Sequence, residues 1–218
     1  MADRRQSLID SARALFAQRP YHDVTTTEIA KQAGVAYGLI AHHFENKRGL
    51  YLAVMNELAV EIAAVQLSPP PPGATLIEQL RHALRSQITY LDGHSDSYVA
   101  FMRGELGSDA DQQSAIDNLR WLGAQRILLT LGIVEPVPPT LRMAMRGWVG
   151  YFDEMMIDRI SHADVDSEPL VELAVAALAS TLQTVALLDE SVALSAPIMN
   201  ELNTFATRSV VRHAGGHR

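Results

Sequence analysis

The chain has 218 residues, 48% apolar and 20% charged, with a formal net charge of −7 and no cysteine. This composition fits a folded globular protein and excludes disulfide frameworks, thiolate zinc sites and cysteine nucleophiles. The charge is uneven: residues 1–50 hold seven Lys/Arg against five Asp/Glu, and the rest holds eleven against twenty. A mildly basic head on an acidic body is expected, and only the head suits a polyanion.

Along the chain the periodicity is helical. Leu8, Ile9, Ala12, Leu15 and Phe16 place a first amphipathic helix at about 4–18, which Pro20 stops. Its charges at positions 3, 4, 5, 10 and 13 interrupt any apolar run, so neither a signal peptide nor a membrane segment is expected there. No stretch has the roughly 18 continuous apolar residues of a membrane span, and no membrane partner and a cytoplasmic location are expected.

Thr25 followed by Glu28 has the capping-box spacing and opens a second helix that runs to about Ala33, where Gly34 ends it. A third short helix at about 36–43 follows. A small residue near the crossing, a glycine for the left-handed turn, and Ile29, Val35 and Ile40 to lock the two helices make this a helix-turn-helix. Asn46 caps a fourth helix, about 47–66, with the stripe Leu50, Val54, Leu58, Ile62 and Val65.

Ser68–Gly73 reads SPPPPG, either a stiff connection or a polyproline ligand for a partner. Further helices are expected near 75–92, 96–106, 111–131, 140–161, 168–188 and 195–212. They are separated at Gly93–Ser95, Gly107-Ser108, Pro136–Pro139, Asp164–Pro169 and Ser191–Ser195. No segment sustains strand alternation. The predicted class is all-α with nine to ten helices, an N-terminal helix-turn-helix domain over 1–50 and a larger helical domain over 51–218.

The stretch from Ala14-Leu15-Phe16 through TTTEIAKQAGV, AYGLIAHHF and ENKRGLYLAV resembles the N-terminal signature of the TetR family of tetracycline-repressor-like regulators, over residues 4–55. The resemblance implies a three-helix DNA-binding head joined by the fourth helix to an effector-binding and dimerising body. It implies a homodimer on a double-stranded, pseudo-palindromic operator, released by a small-molecule effector of apolar or amphipathic character, with repression the expected outcome. Thr25, Thr26 and Thr27 would meet phosphate at a helix start. Tyr37, Gly38, Leu39, His42 and His43 would face the major groove or its walls, and Lys47 a phosphate. The chain departs from the family pattern at Tyr37, Ala41 and His43, and Ala36 replaces the common serine cap. Its operator therefore cannot be taken from a relative.

His42–Glu45 contains H-x-E, part of a zinc-deaminase signature, but the cysteine half is absent, so no metal site is expected. In the body, Tyr98, Phe101 and Met102 form one candidate effector lining. Trp121, Trp148, Tyr151, Phe152, Met155 and Met156 form another, although residues at such spacings are also ordinary core. Asp153, Glu154 and Asp158 beside the second cluster favour an amine-bearing ligand or are simply a solvated acidic face. Residues 168–188 are apolar on nearly every turn, which demands burial on more than one side. Leu173, Ala177, Ser180, Thr184 and Leu187, with Gly147 and Gly150 permitting close approach, are the candidate dimer face. No phosphate loop, nucleophile elbow or paired metal ligands are present, so neither an enzyme nor a cofactor is expected. The competing reading is a helical adaptor with a DNA-binding head whose body binds a protein.

Overall fold

The computed structural model describes residues 2–102 and 110–214. Every regular element among them is helical: α1 (Ala2–Gln18), a 3-10 turn (Tyr21–Asp23), α2 (Thr26–Gln32), α3 (Gly38–Phe44), α4 (Lys47–Gln66), α5 (Leu76–Asp92), α6 (Ser95–Met102), α7 (Ala110–Thr130), α8 (Pro139–His162), α9 (Ser167–Leu188) and α10 (Ala196–Ala214). The all-α expectation holds, and most described ends fall within about two residues of those expected. The expected end of the sixth helix, the Gly107-Ser108 break and the GGHR tail lie outside the described residues.

By packing, the chain divides into two units: Met1–Ala64 with Tyr90–Leu119, and Val65–Thr89 with Arg120–Arg218. The sequence division at residue 50 groups residues by expected role. The packing division adds α6 to the first unit because α6 lies against α1.

The first unit is built on Leu8, Ile9, Ala12 and Phe16 of α1, Ile29 and Ala30 of α2, Ile40 and Phe44 of α3, and Leu50, Val54 and Leu58 of α4, all buried. Phe16, Tyr21 and Tyr51 form an aromatic triad with ring centroids 5.1–5.6 Å apart, a geometry that adds to plain area burial.

In the second unit α8 packs on α9 and α9 on α10. Trp148 is buried and donates its indole N–H to the Ala174 carbonyl at 2.9 Å, which satisfies its one polar group. α5 is tied to α9 by Arg81 to Glu172, at 2.6 and 2.8 Å, and by Arg85 to Glu168. Thr75 and Glu78 make a second capping box at the α5 start, with Thr75 N–H donating to Glu78 at 2.8 Å. Glu201 of α10 accepts the next two amides, Leu76 and Ile77, at 3.0 and 2.8 Å. The tenth helix thus closes the α5 N-terminus.

α4 and α9 are long and apolar enough, by length and composition, to cross a bilayer. Neither is a continuous apolar run, since Glu57 and Glu61 interrupt the first and Glu168 and Glu172 the second. Both helices pack part of that surface inside the protein: Leu50, Val54 and Leu58 of α4, and Leu170, Ala174, Leu178 and Leu182 of α9, are buried.

Candidate nucleic-acid interface

The α2–α3 corner follows from its residues. Thr25 Oγ1 accepts the Glu28 amide at 3.2 Å, and the Thr25 amide donates to Glu28 Oε2 at 2.8 Å, completing the expected capping box. The Thr25 hydroxyl also donates to Glu28 Oε2 at 2.8 Å. The Thr25 backbone amide, then its hydroxyl, then Arg19 hold the Glu28 carboxyl at about 2. At the other end Val35 N–H reaches Ala30 O at 3.0 Å and Gly34 N–H reaches Lys31 O at 3.2 Å. That Schellman closure requires the left-handed φ of 66° found at Gly34.

α3 then starts two residues later than expected. Ala36 does not cap it; Leu39 and Ile40 donate to Ala36 and Tyr37 carbonyls in a tight first turn, and Tyr37 is the N-cap without a side-chain cap bond. Ile40 and Phe44 turn inward and are buried, while Tyr37, Gly38, Ala41 and His42 are exposed and Leu39 and His43 half-buried. A Cβ at Gly38 would meet nothing within 4 Å. The outer face of α3 is therefore clear at its N-terminal end, where a groove wall or base edge would approach.

The N-termini of α2 and α3 meet at one edge, since Thr26 Oγ1 donates to the Tyr37 hydroxyl at 3.4 Å. The Thr25 and Thr26 hydroxyl protons go to Glu28 and Tyr37, so the Thr27 and Tyr37 hydroxyls and the Thr26 and Thr27 amides remain as the donors of that edge. His42 and His43 rings are 4.9 Å apart and edge-on, which suits successive contacts along a groove. Among the described residues no His/Asp/Glu group could hold a metal ion.

α4 begins directly after this corner. Asn46 Oδ1 accepts the Gly49 amide at 2.9 Å, the expected cap. Gly49, which the sequence reading passed over, is demanded by proximity: a Cβ there would sit 2.0 Å from the Phe44 carbonyl oxygen. Lys47 stands at the first position of α4 with Nζ 4.2 Å from the Tyr21 ring centroid, and burial pushes its pKa down. A partly desolvated ammonium beside positive helix-end amides gains from an arriving phosphate.

Behind the interface, Arg13 of α1 donates twice to Glu61 of α4, at 2.9 Å each, and once to Tyr90 of α5 at 3.1 Å. Tyr90 in turn donates to Glu61 and stacks on His94 at 4.3 Å. Arg13 holds the Glu61 carboxyl below its usual range, and burial, then the Glu61 bond, pushes the Tyr90 phenol up to about 12.

Residues 8–54 match the family described as "Bacterial regulatory proteins, tetR family", and residues 76–188 match "Tetracyclin repressor-like, C-terminal domain". The chain belongs to the tetR family. It is 39% identical over 79 residues to the HTH-type transcriptional regulator BetI of Serratia proteamaculans, covering 34% of this chain and 40% of that protein. It is 37% identical over 59 residues to the BetI of Escherichia coli strain K12, covering 27% and 30%. The chain thus matches less than half the length of these relatives. A tetR-family regulator from Streptomyces coelicolor shares the fold with a TM-score of 0.77 at 24% identity, over 98% of this chain and 99% of that one. The transcriptional regulator FadR of Bacillus subtilis, solved in complex with stearoyl-CoA, gives a TM-score of 0.60 at 21% identity over 81% of this chain and 96% of that one.

In the body of this tetR-family chain, the two candidate linings fall in different units. Tyr98 is buried and Met102 half-buried in the first; the Phe101 side chain lies outside the described residues. In the second, Trp148, Phe152 and Met156 are buried, with the Trp148 and Phe152 rings stacked at 6.1 Å, and Trp121 and Met155 are half-buried. Tyr151 points the other way and is 41% exposed, in line with exposed Gly147 and Met143. The acidic trio separates similarly. Asp153 is buried and takes the Arg120 Nε–H at 2.7 Å, so its charge is already answered inside the protein; Glu154 and Asp158 are exposed. The reading of these three as an amine-binding group loses its inward-facing member.

Proposed function

We propose that this chain is a ligand-responsive transcriptional regulator that binds a pseudo-palindromic operator as a homodimer, represses there, and is released by a small-molecule effector. The observation that carries the reading is the cleared edge where the Thr26 and Tyr37 hydroxyls meet, beside the open Gly38 and ahead of Lys47. Thr26, Thr27 and Lys47 would hold phosphate, and Tyr37, Gly38, Leu39, His42 and His43 would meet the groove, with Thr25 acting through the helix cap. Two such heads about one DNA turn (~34 Å) apart offset the modest basic charge of each.

The pairing face proposed is the outer stripe of α9 with the small residues of α8. Leu173 and Leu187 are 54% and 83% exposed, Ser180 and Thr184 are exposed, and Ala177 is half-buried on the same side. A Cβ at Gly147 or Gly150 would meet nothing within 4 Å, which leaves room for a partner helix. The effector site is assigned to 51–218, with release following a change in helix populations that α4 passes to Lys47. An enzyme has no support from the family or the named relatives, all regulators.

A gel-shift titration against DNA upstream of its own and adjacent genes tests this reading. A salt-sensitive, sequence-preferring complex with two-fold stoichiometry is expected. Absence of any such complex would sink it.

A further inference from the structure

In the second unit Arg126 differs from the three arginines that tie helices together. Arg81, Arg85 and Arg120 each face a carboxylate, Glu172, Glu168 and Asp153. Arg126 of α7 is half-buried and, among the described residues, faces none: its side-chain hydrogen bond there goes from Nη1 to the neutral Gln66 Oε1 at 2.6 Å. Gln66 in turn donates to Gln87 Oε1 at 2.6 Å, which fixes the amide that faces the guanidinium. Burial lowers the Arg126 pKa, and no carboxylate raises it. The body is rich in acids, with twenty beyond residue 50, yet among the described residues no carboxylate is paired with Arg126. A guanidinium carries five donors in a planar fork, and four of these have no partner among the described residues.

The surroundings suit a ligand with an apolar part. On α7, positions three and four residues away share a face with Arg126. They are Gly123, where a Cβ meets nothing within 4 Å, Leu122 and Leu129, which are 47% and 60% exposed, and Thr130, whose hydroxyl donates to the Arg126 carbonyl at 3.1 Å. Open space and exposed leucine therefore flank an unneutralised cation.

We propose that Arg126, oriented by Gln66 and Gln87, takes the anionic head group of an amphipathic effector, with the chain of that effector against Leu122 and Leu129. This rests on the ligand-responsive reading and names the ligand class for it: a singly or doubly charged anion on an alkyl body, opposite in sign to the amine that the acidic trio suggested. The fork accepts a carboxylate or a phosphate monoester alike.

The test uses the full chain and four matched probes: decanoate, decyl phosphate, decyltrimethylammonium and decanol, each titrated calorimetrically. Both anions, or one of them, should bind saturably, and the stronger identifies the head group. Arg126→Gln should weaken that binding about 10- to 100-fold, the loss of a charge-assisted pair, and Arg126→Lys should fall between because it keeps charge without the fork. Both variants should retain the wild-type melting temperature and probe-free DNA binding. Equal binding of decanol or the cation, unchanged anion affinity in Arg126→Gln, or no anion binding up to about 1 mM would overturn the proposal. Failure of the regulator reading is seen separately, as absence of DNA binding in the probe-free wild type.

Discussion

Replacing Lys47 with alanine separates a DNA contact from a structural role. The side chain makes one intramolecular interaction of note, Nζ at 4.2 Å from the Tyr21 ring centroid, worth about 0.5–1 kcal/mol at a partly exposed site. Against it stands the cost of a cation at a helix N-terminus, about 0.3–1 kcal/mol. The two nearly cancel, so Lys47→Ala should leave the urea midpoint almost unchanged. On DNA the effect should be larger. One phosphate contact carries a salt slope of about 0.9, so two heads lose about 1.8. The affinity deficit of the variant should then shrink about twelvefold between ~50 and ~200 mM salt. Fluorescence anisotropy across that range, with a specific and a scrambled duplex, reads both the slope and the preference. An unchanged slope, or an altered base preference, would refute the assignment of Lys47 to phosphate.

Further outcomes follow from the same geometry. Gly49→Ala places a carbon 2.0 Å from a backbone oxygen and should cost about 1–3 kcal/mol, read as a lowered denaturant midpoint at constant m; an unshifted midpoint would mean the α3–α4 corner relaxes freely. Tyr90 titrates higher in the fold, up to about 12, so its contribution is fully present below about pH 10 and lost as pH rises through about 12. Tyr90→Phe should flatten that alkaline decline in melting temperature, and an identical decline in the variant would remove Tyr90 as its source. If the proposed homodimer pairs through the exposed stripe of α9, Leu173→Glu should sediment as a monomer where the wild type sediments as a dimer, and should weaken operator binding while keeping helicity. A dimer that persists would move the pairing face elsewhere.

Much of the head was legible from local chemistry. Thr25 and Glu28 make the capping box their spacing predicts, Asn46 caps α4, and Gly34 takes a positive φ, because caps and turns are decided within a few residues. The start of α3 was not: Ala36 offered no cap, and a tight turn on Ala36 and Tyr37 carbonyls moved the helix to Gly38. Gly49 escaped notice because its reason is a carbonyl on the preceding helix, invisible to helical periodicity.

In the body, the amino-acid sequence determined that the elements are helices and roughly where they end. It could not say which way each side chain faces a neighbouring helix. Asp153 and Asp158 lie five residues apart on α8, yet one is buried on Arg120 and the other exposed. Tyr151 and Phe152 are adjacent and face opposite ways. Arg126 looks like any other arginine in the sequence; only packing brings Gln66 to it and pairs it with no carboxylate among the described residues. Helix type depends on local spacing, whereas the charge balance of a site depends on contacts between residues about 60 positions apart, and those exist only once the chain has folded.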